Sequence, residues 1–350
     1  MSTFNRRSFI KTSVAGGLAA TIIRPYDTFA SIGVQQASGP EVSLTTGDNR
    51  ADMAFRALKP FSKQISQAIG KKRVILKPNN VSIDIPLCAT HVDTLEGILE
   101  FMKSIGKADQ CIIAESAAGG ATLDGFSNYG YMKLLSKYPV KLVDLDAEKI
   151  ETIHVFDEKD FRPHAVRVSS LLLDQNNFVV SVARMKTHDR VIATLSLKNI
   201  VLGAPIKDKG FSWSPSRKPG TVNDKPIVHG SGYRGLNYNL YALSGRLHPH
   251  LAVIDGFEGM EGNGPNRGTP VDHRVCVASL DWFAADRVGI ELMGIDFAKV
   301  GYLNFCAQAG MGPADISKIS IVGEKISDHI KPYKLSDSLE KQLVWMNPVS

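Results

Sequence analysis

Two lysines, a histidine and an asparagine occur at the ends of apolar segments near the middle of the chain. Lys186 and His188 follow the apolar run 178–183, and Lys198 and Asn199 follow a second apolar segment. Ammonium and amide groups donate hydrogen bonds to carboxylates and phosphates. A lysine crowded by other cations has a lowered pKa and can act as a base, and histidine carries protons near neutral pH. We therefore predict Lys186 and His188 as catalytic residues, and Lys198 and Asn199 as ligand-binding residues.

Polar residues also follow two earlier apolar runs that have the length of buried strands. The ligand-binding residues expected there are Lys77, Asn79, Asn80 and Glu115. The carboxyl ends of neighbouring parallel strands lie at one edge of a sheet, where α/β proteins bind ligands. We expect a cleft for a small anionic ligand at that edge. The structural alternative is that Lys77 ends a strand in solvent, that the asparagines cap a turn, and that His188 is a hydrogen-bonded structural residue.

An acidic, glycine-rich segment, 257–270, predicts a loop after another buried strand. Asp255, Glu258 and Glu261 would supply hard oxygen ligands there, so one interpretation is a site for a divalent metal ion. The spacing is not that of an EF-hand. This loop would form the wall of the cleft opposite the lysines.

Several other classes of site lack support in the sequence. Cys88, Cys111, Cys276 and Cys306 are far apart, which argues against a structural zinc site or an iron–sulfur cluster and favours free thiols. Neither a GxGxxG motif opening a helix nor a GxSxG motif is present, so neither a nucleotide cofactor nor a serine hydrolase is predicted. Of the net charge of +6, three units lie in the first thirty residues, which leaves too small a bias to predict nucleic-acid binding.

These residues must be positioned by short apolar strands that alternate with helices. That alternation predicts an α/β fold: a mainly parallel sheet, helices on both faces and a cleft at the strand ends. The expected domain spans 48–330 after a linker at 31–47. In an alternative organisation, this domain consists of two lobes that meet near 180–205. Segment 206–239 has few apolar residues and predicts a long loop, which is either a lid or a surface insertion.

The amino terminus has the features of an export signal. The run Asn5-Arg6-Arg7-Ser8-Phe9-Ile10-Lys11 resembles the twin-arginine consensus, and a small residue, Ala30, suits cleavage. The apolar run 14–23 is about half the ~20 residues that span a bilayer. Residues 1–30 are therefore predicted as a Tat signal peptide. The Tat machinery would be the export partner, the location periplasmic or extracellular, and no stable membrane span would remain after cleavage. The alternative is an amphipathic helix with a chance arginine pair.

Five short motifs resemble the DUF362 family of uncharacterised proteins. They are VILKPNN, THVD, the Lys186-Thr187-His188 and Lys198-Asn199 pair, IDGFEGMEGNGP and ASLDWFAAD, in the expected order over 73–323. Many relatives carry a ferredoxin-like segment with clustered cysteines. This chain lacks that segment, so the resemblance does not imply iron–sulfur electron transfer here.

The sequence leaves three functions open. The first is an exported α/β protein that binds a small anion in the cleft and acts as an enzyme of unspecified reaction, with or without the assistance of a metal ion. The second is a non-catalytic protein that binds a cofactor or a metal ion in the same cleft. The third is a scaffold or interaction protein, in which the motifs serve packing and turns. A cleft that contains the named residues would favour the first two.

Overall fold

A nine-stranded sheet forms the centre of the fold in the computed structural model, which describes residues 39–214 and 217–347. The strands are β1 (Glu41–Thr46), β2 (Arg73–Lys77), β3 (Cys111–Glu115), β4 (Lys141–Asp144), β5 (Ile150–Phe156), β6 (Pro163–Ser169), β7 (Asn177–His188), β8 (Ile192–Thr194), β9 (Leu251–Asn263), β10 (Arg267–Ser279) and β11 (Ser320–Gly323). The spatial order is β11-β1-β10-β9-β7-β2-β3-β4, and β8 pairs with β7. The five strands from β9 to β4 are mutually parallel, and β5 and β6 form a separate hairpin.

Helices cover both faces of this sheet. They are α1 (Arg50–Leu58), α2 (Ser62–Ile69), α3 (Val92–Ser104), α4 (Thr122–Asn128), α5 (Ser196–Gly203), α6 (Lys225–Val228), α7 (Tyr233–Ser244), α8 (Trp282–Leu292), α9 (Gly301–Gln308) and α10 (Leu339–Gln342). Helices α1–α3 pack on one face, and α5 and α7–α9 pack on the other, so two apolar clusters sandwich the sheet. The α/β class predicted from the sequence is confirmed.

Strand β7 is central, and all twelve of its residues are buried. Phe178, Val180 and Val182 belong to the apolar cluster with α1–α3, whereas Val179 belongs to the opposite cluster. Successive strand residues point to opposite faces, so a strand covered on both sides is apolar throughout. This explains why its sequence shows little alternation until the polar residues at its carboxyl end.

Three segments differ from the sequence-based expectation. Segment 257–270, predicted as a loop, forms the turn and the adjoining strand ends of the β9–β10 hairpin. Residues 41–46 of the predicted linker form β1, and the predicted loop 206–239 contains α6 and the first half of α7. The hairpin was missed because its glycines mark close packing. A Cβ atom at Gly259 would lie 2.0 Å from the Tyr333 hydroxyl, and one at Gly264 would lie 2.1 Å from the Thr187 carbonyl.

The described residues belong to one compact unit, so no division into lobes occurs at 180–205. The four cysteines are buried free thiols. None of the helices within the described residues is both long and apolar enough to cross a membrane. The predicted Tat signal, residues 1–30, lies outside the described residues.

Candidate functional site

A cavity of about 110 Å³ opens at the carboxyl ends of β2, β3 and β7, beside helix α5. We call it the lysine cleft. Seven of the predicted site residues line it, namely Lys77, Asn79, Asn80, Glu115, His188, Lys198 and Asn199. The other lining residues are Val81, Ser116, Ala118, Thr194, Leu202, Gly203, Lys225, His229 and Pro265. The convergence follows from the topology, because parallel neighbours present their carboxyl ends at one edge.

Lys77 and Glu115 form a buried ion pair at the base of the cleft. The Lys77 Nζ atom donates to both carboxylate oxygens of Glu115, at 2.8 and 2.9 Å, and to Asn199 Oδ1 at 3.0 Å. Glu115 also accepts the backbone N–H groups of Asn80 and Ser116. Burial lowers the pKa of Lys77, and the Glu115 carboxylate opposes that shift. Since both partners are satisfied within the protein, the pair supports the cleft and has no free group for a ligand.

Helix α5 is fixed against this pair by Asn199. The Asn199 amide accepts from Lys77 and Asn79, and donates to the Lys77 carbonyl and to Ser181 Oγ. Gly203, at the other end of α5, permits the close approach, because a Cβ atom there would lie 2.0 Å from Lys77 Cε. Asn199 therefore acts as a structural connector between α5 and β2, with all its amide positions in use.

The start of α5 is held by a buried carboxylate on the neighbouring helix α8. Asp286 Oδ1 accepts from the Ser196 backbone N–H at 2.7 Å, and Oδ2 accepts from the Leu197 N–H at 3.1 Å. The first N–H groups of a helix lack partners within the helix, so this carboxylate serves as its cap. It fixes the rotation of α5 that directs Lys198 and Asn199 towards the cleft.

Lys186 lies next to the cleft but does not line it. Its Nζ donates to Asn79 Oδ1 and, at 2.8 Å, to the Cys88 carbonyl oxygen. Burial lowers the pKa of Lys186 to about 8, with further lowering from the nearby Arg184 and Lys77. Its direct contacts thus position the Asn79 side chain, and Asn79 in turn reaches the cavity.

Lys198 lines the cleft and has neither a hydrogen-bond nor an ion-pair partner among the described residues. Its side chain is nonetheless buried, with only 6% of the residue exposed. Burial lowers its pKa to about 7, and Lys186 lowers it further, while Asp189 opposes the shift. An amine in this setting gains or loses a proton readily near neutral pH.

Two cleft residues, Lys225 and His229, were not among the predicted site residues. Both come from α6 and the residue that follows it, inside the segment predicted as a long loop. Lys225 Nζ donates to the carbonyl oxygens of Gly203 and Pro205, at 3.2 and 2.5 Å. Burial lowers the pKa of Lys225 to about 7 even though Asp146 opposes the shift. Lys225 and His229 are four residues apart, and residues at this spacing lie on the same face of a helix. This spacing is the signal in the sequence that could have placed them together.

His188 and His229 present opposite hydrogen-bonding groups to the cleft. Nδ1 of His188 accepts the Arg190 backbone N–H at 3.0 Å, so the proton of the neutral ring is on Nε2. Nδ1 of His229 lies 3.1 Å from the Lys225 carbonyl and must donate to it, so its Nε2 is an acceptor. Burial, followed by nearby lysines, lowers the pKa of His188 well below its usual value and that of His229 to about 4. Both rings are therefore neutral at pH 7.

Two further donors in the cleft have no partner among the described residues. They are the Asn80 Nδ2 amide and the Thr194 hydroxyl, each on a residue only 2% exposed. Leaving a buried polar group unpaired costs on the order of 1–3 kcal/mol. Together with Lys198, these donors belong to residues that line the same cavity.

The profile of the family described as "Domain of unknown function (DUF362)" matches residues 74–291. The chain belongs to the DUF362 family. A thylakoid-associated protein of Synechocystis sp. is 24% identical to this DUF362 chain over 243 residues, which is 69% of each protein. A crystal structure of a Thermotoga maritima protein superposes with a TM-score of 0.40 at 9% identity. That superposition covers 77% of the DUF362 chain and 61% of the Thermotoga chain.

All residues that line the lysine cleft lie within the family-matched segment of the DUF362 chain, from Lys77 to Pro265. The predicted metal ligands lie in the same segment but outside the cleft. Asp255 accepts from Thr94 Oγ1 at 2.7 Å, Glu258 contacts Arg184, and Glu261 accepts the Lys334 backbone N–H. No group of three potential metal ligands occurs within 39–214 and 217–347. The three carboxylates do not converge because they extend along β9, where other residues bind them.

Proposed function

We propose that this DUF362 protein binds a small anion in the lysine cleft. Lys198, Lys225, Asn80 Nδ2 and Thr194 Oγ would be its main donors. The observation that carries the proposal is that Lys198, a residue only 6% exposed, has no hydrogen-bond partner among the described residues and lines a cavity together with two residues that carry unpaired neutral donors. An anion would restore hydrogen bonds and counter-charge to these groups together, which a hydrophobic ligand would not.

The distribution of carboxylates supports an anion over a cation. Glu115 is the carboxylate that lines the cleft, and its four hydrogen bonds are made within the protein. Asp146, nearby, is held by Lys207 and Ser116. Apart from Nε2 of His229, the available groups are therefore donors, and the excess charge is positive whenever Lys198 or Lys225 is protonated. A bound anion would favour the protonated form of both amines.

Proton transfer to or from the bound ligand is part of the same proposal. Lys198 has a pKa of about 7, so it exists in both protonation states near neutral pH. We propose that it moves the proton, that His188 Nε2 donates a hydrogen bond to the ligand, and that Lys186 positions Asn79. If the protein only binds its ligand, the same residues would do so without turnover.

Export by the Tat route is a separate proposal, which rests on Arg6 and Arg7. The thylakoid association belongs to the Synechocystis relative and does not address this signal. Replacing both arginines with lysine should retain the precursor in the cytoplasm, as measured by fractionation and immunoblotting. Normal export of that variant would contradict the proposal. A Lys11→Arg variant, with the pair intact, serves as the control.

A thermal-shift titration tests the anion site. Phosphate, at an ionic strength matched with sodium chloride, should raise the Tm of the full chain. At one hundred times the Kd the stabilisation is about 2.7 kcal/mol, and each kcal/mol raises the Tm by about 1–2 °C for a chain of 350 residues. Lys198→Met should remove the phosphate-dependent increment, whereas Lys103→Met, an exposed lysine on α3, should keep it. If sulfate and phosphate both leave the wild-type Tm unchanged, the proposal fails.

A further inference from the structure

His229 gives the lysine cleft a hydrogen-bond acceptor among donors. Its Nδ1 proton is engaged by the Lys225 carbonyl four residues earlier, at 3.1 Å. Its Nε2 therefore carries a lone pair, and it has no hydrogen-bond partner within the described residues. The ring lines the cavity together with Lys198, Thr194 and Asn80.

A fully deprotonated anion would satisfy the donors of the cleft but leave Nε2 of His229 without a partner. Sulfate, for example, has acceptor oxygens alone at neutral pH. Burying an acceptor against another acceptor costs a hydrogen bond and adds repulsion. An anion that retains one O–H group would satisfy both the donors and the acceptor. Discrimination of this kind is strong when the site is closed to water.

The size of the cavity also limits the anion. One water molecule needs a cavity of roughly 10–15 Å³ when volume is measured as the space open to water-sized spheres. By the same measure the cleft has about 110 Å³. A five-atom oxyanion with its oxygens on the donors fits this space, whereas a nucleotide would extend far outside it.

We propose that the lysine cleft selects hydrogenphosphate, an oxyanion that donates its remaining proton to Nε2 of His229 while Lys198, Thr194 and Asn80 bind its other oxygens. This inference rests on the proposed anion site and defines the substrate class of that site. The group that distinguishes the anions is the remaining O–H. A phosphate ester dianion has no O–H group. Free phosphate is thus favoured over both sulfate and a phosphate monoester.

Calorimetric titration of the full chain at pH 8 and constant ionic strength tests the selection. At this pH sulfate, methyl phosphate and phosphate carry about the same charge, but phosphate alone retains a proton. We expect phosphate to bind about tenfold more tightly than sulfate, the equivalent of one satisfied hydrogen bond. Methyl phosphate should bind like sulfate. Equal affinities for phosphate and sulfate would overturn the inference but leave the anion site standing, whereas absence of binding by all three would overturn both.

Two variants identify the residue responsible. His229→Phe keeps the ring shape without an acceptor and should reduce the phosphate preference to about twofold or less. His229→Gln supplies an amide oxygen and should keep a preference above that of the phenylalanine variant. Thermal unfolding of both proteins verifies that they are folded. If His229→Phe keeps the full preference, the role of His229 is refuted, and if His229→Gln behaves like His229→Phe, the acceptor argument also fails.

Discussion

The lysine cleft differs in its charge pairing from a second group of charged and polar residues beside the same sheet. The second group, which we call the arginine cluster, comprises Arg50, Thr94, Arg184, Asp255 and Glu258. Asp255 accepts from Thr94 at 2.7 Å and lies 3.5 Å from Arg50. Arg184 donates to the Ala89 carbonyl, at 2.7 Å, and to Glu258. Each charge in the arginine cluster thus has an opposite charge beside it.

The lysine cleft combines one paired lysine with others that lack such a partner. Lys77 is matched by Glu115, but among the described residues Lys198 has no hydrogen-bond partner and Lys225 Nζ donates to carbonyl oxygens alone. Arginine suits fixed, multidentate pairing, whereas lysine changes its protonation readily when buried. The difference indicates that the arginine cluster stabilises the fold, while the cleft gives up stability to keep groups available for a ligand.

The largest effect is expected in the arginine cluster. Asp255→Ala leaves Arg50 buried beside no counter-charge, so the free energy of unfolding should fall by about 3–5 kcal/mol. Glu151→Ala is the control, because the Glu151 and Arg246 side chains of this ion pair are 47% and 64% exposed, and its loss should cost under about 1 kcal/mol. Urea unfolding of both variants measures the difference. Similar small losses for the two would show that the cluster is not a structural network.

Replacing Lys198 is expected to increase the free energy of unfolding rather than to decrease it. Lys198→Met removes a buried, unpaired amine and keeps the apolar volume, so the ligand-free protein should gain on the order of 1–3 kcal/mol at pH 7. Lys77→Met, which leaves Glu115 unpaired, should instead lose about 3–5 kcal/mol. Urea unfolding in an anion-poor buffer measures both. A destabilised Lys198→Met protein would mean that Lys198 has a partner in the free state.

The pH dependence follows from the lowered lysine pKa values. Between pH 7 and about 10, the unfolded chain holds protons that Lys198 and Lys225 have lost in the folded state. The unfolded state thus binds more protons, so stability rises with pH in this window, by at most about 1.4 kcal/mol per unit for each lysine. Unfolding at pH 7, 8 and 9 should show a smaller slope for Lys198→Met than for wild type. Equal slopes would contradict the lowered pKa of Lys198.

The smallest effect on stability is expected for Thr194→Val. The Thr194 hydroxyl is buried and unpaired, so replacing it with a methyl group should leave the ligand-free protein within about 0.5 kcal/mol or slightly more stable. Phosphate affinity should nevertheless fall about 5–10-fold, because one donor to the anion is lost. Calorimetry compares the two proteins. Unchanged phosphate affinity would show that Thr194 is not part of the site. Ser181→Ala serves as the comparison, because the Ser181 hydroxyl is hydrogen-bonded and lies outside the cavity.

The sequence predicted the parallel sheet and seven of the sixteen residues that line the cleft, because both depend on local patterns. Short apolar runs that end in Lys77, Glu115 and His188 were read as strands, and parallel packing brought these ends together. Asn199 was found by the same rule, although it proved to be a connector. The sequence could not distinguish it from Lys198, since pairing depends on contacts between residues far apart in the chain.

The remaining errors have a common physical cause. The sequence predicts the acidic residues of β9 in a loop, because a glycine such as Gly259 occurs both in turns and where two elements pack closely. Here Gly259 marks close packing. Lys225 and His229 were missed because α6 has only four residues and little apolar pattern. The sequence predicts Lys186 as a catalytic residue, which stays a prediction; its contacts with Asn79 and Cys88 place it beside the cavity.

The central claim is that an anion binds to lysines that are neutral when the cleft is empty. Phosphate titration at pH 8, in two buffers with different ionisation enthalpies, measures the protons taken up on binding. Lys198, with a pKa of about 7, is mostly neutral at this pH. We predict uptake of between about one and two protons per bound phosphate, because Lys198 and Lys225 are both mostly neutral in the empty cleft at this pH, and a clear decrease in that number for Lys198→Met. Binding to the wild type without proton uptake, or no binding at all, would contradict the account.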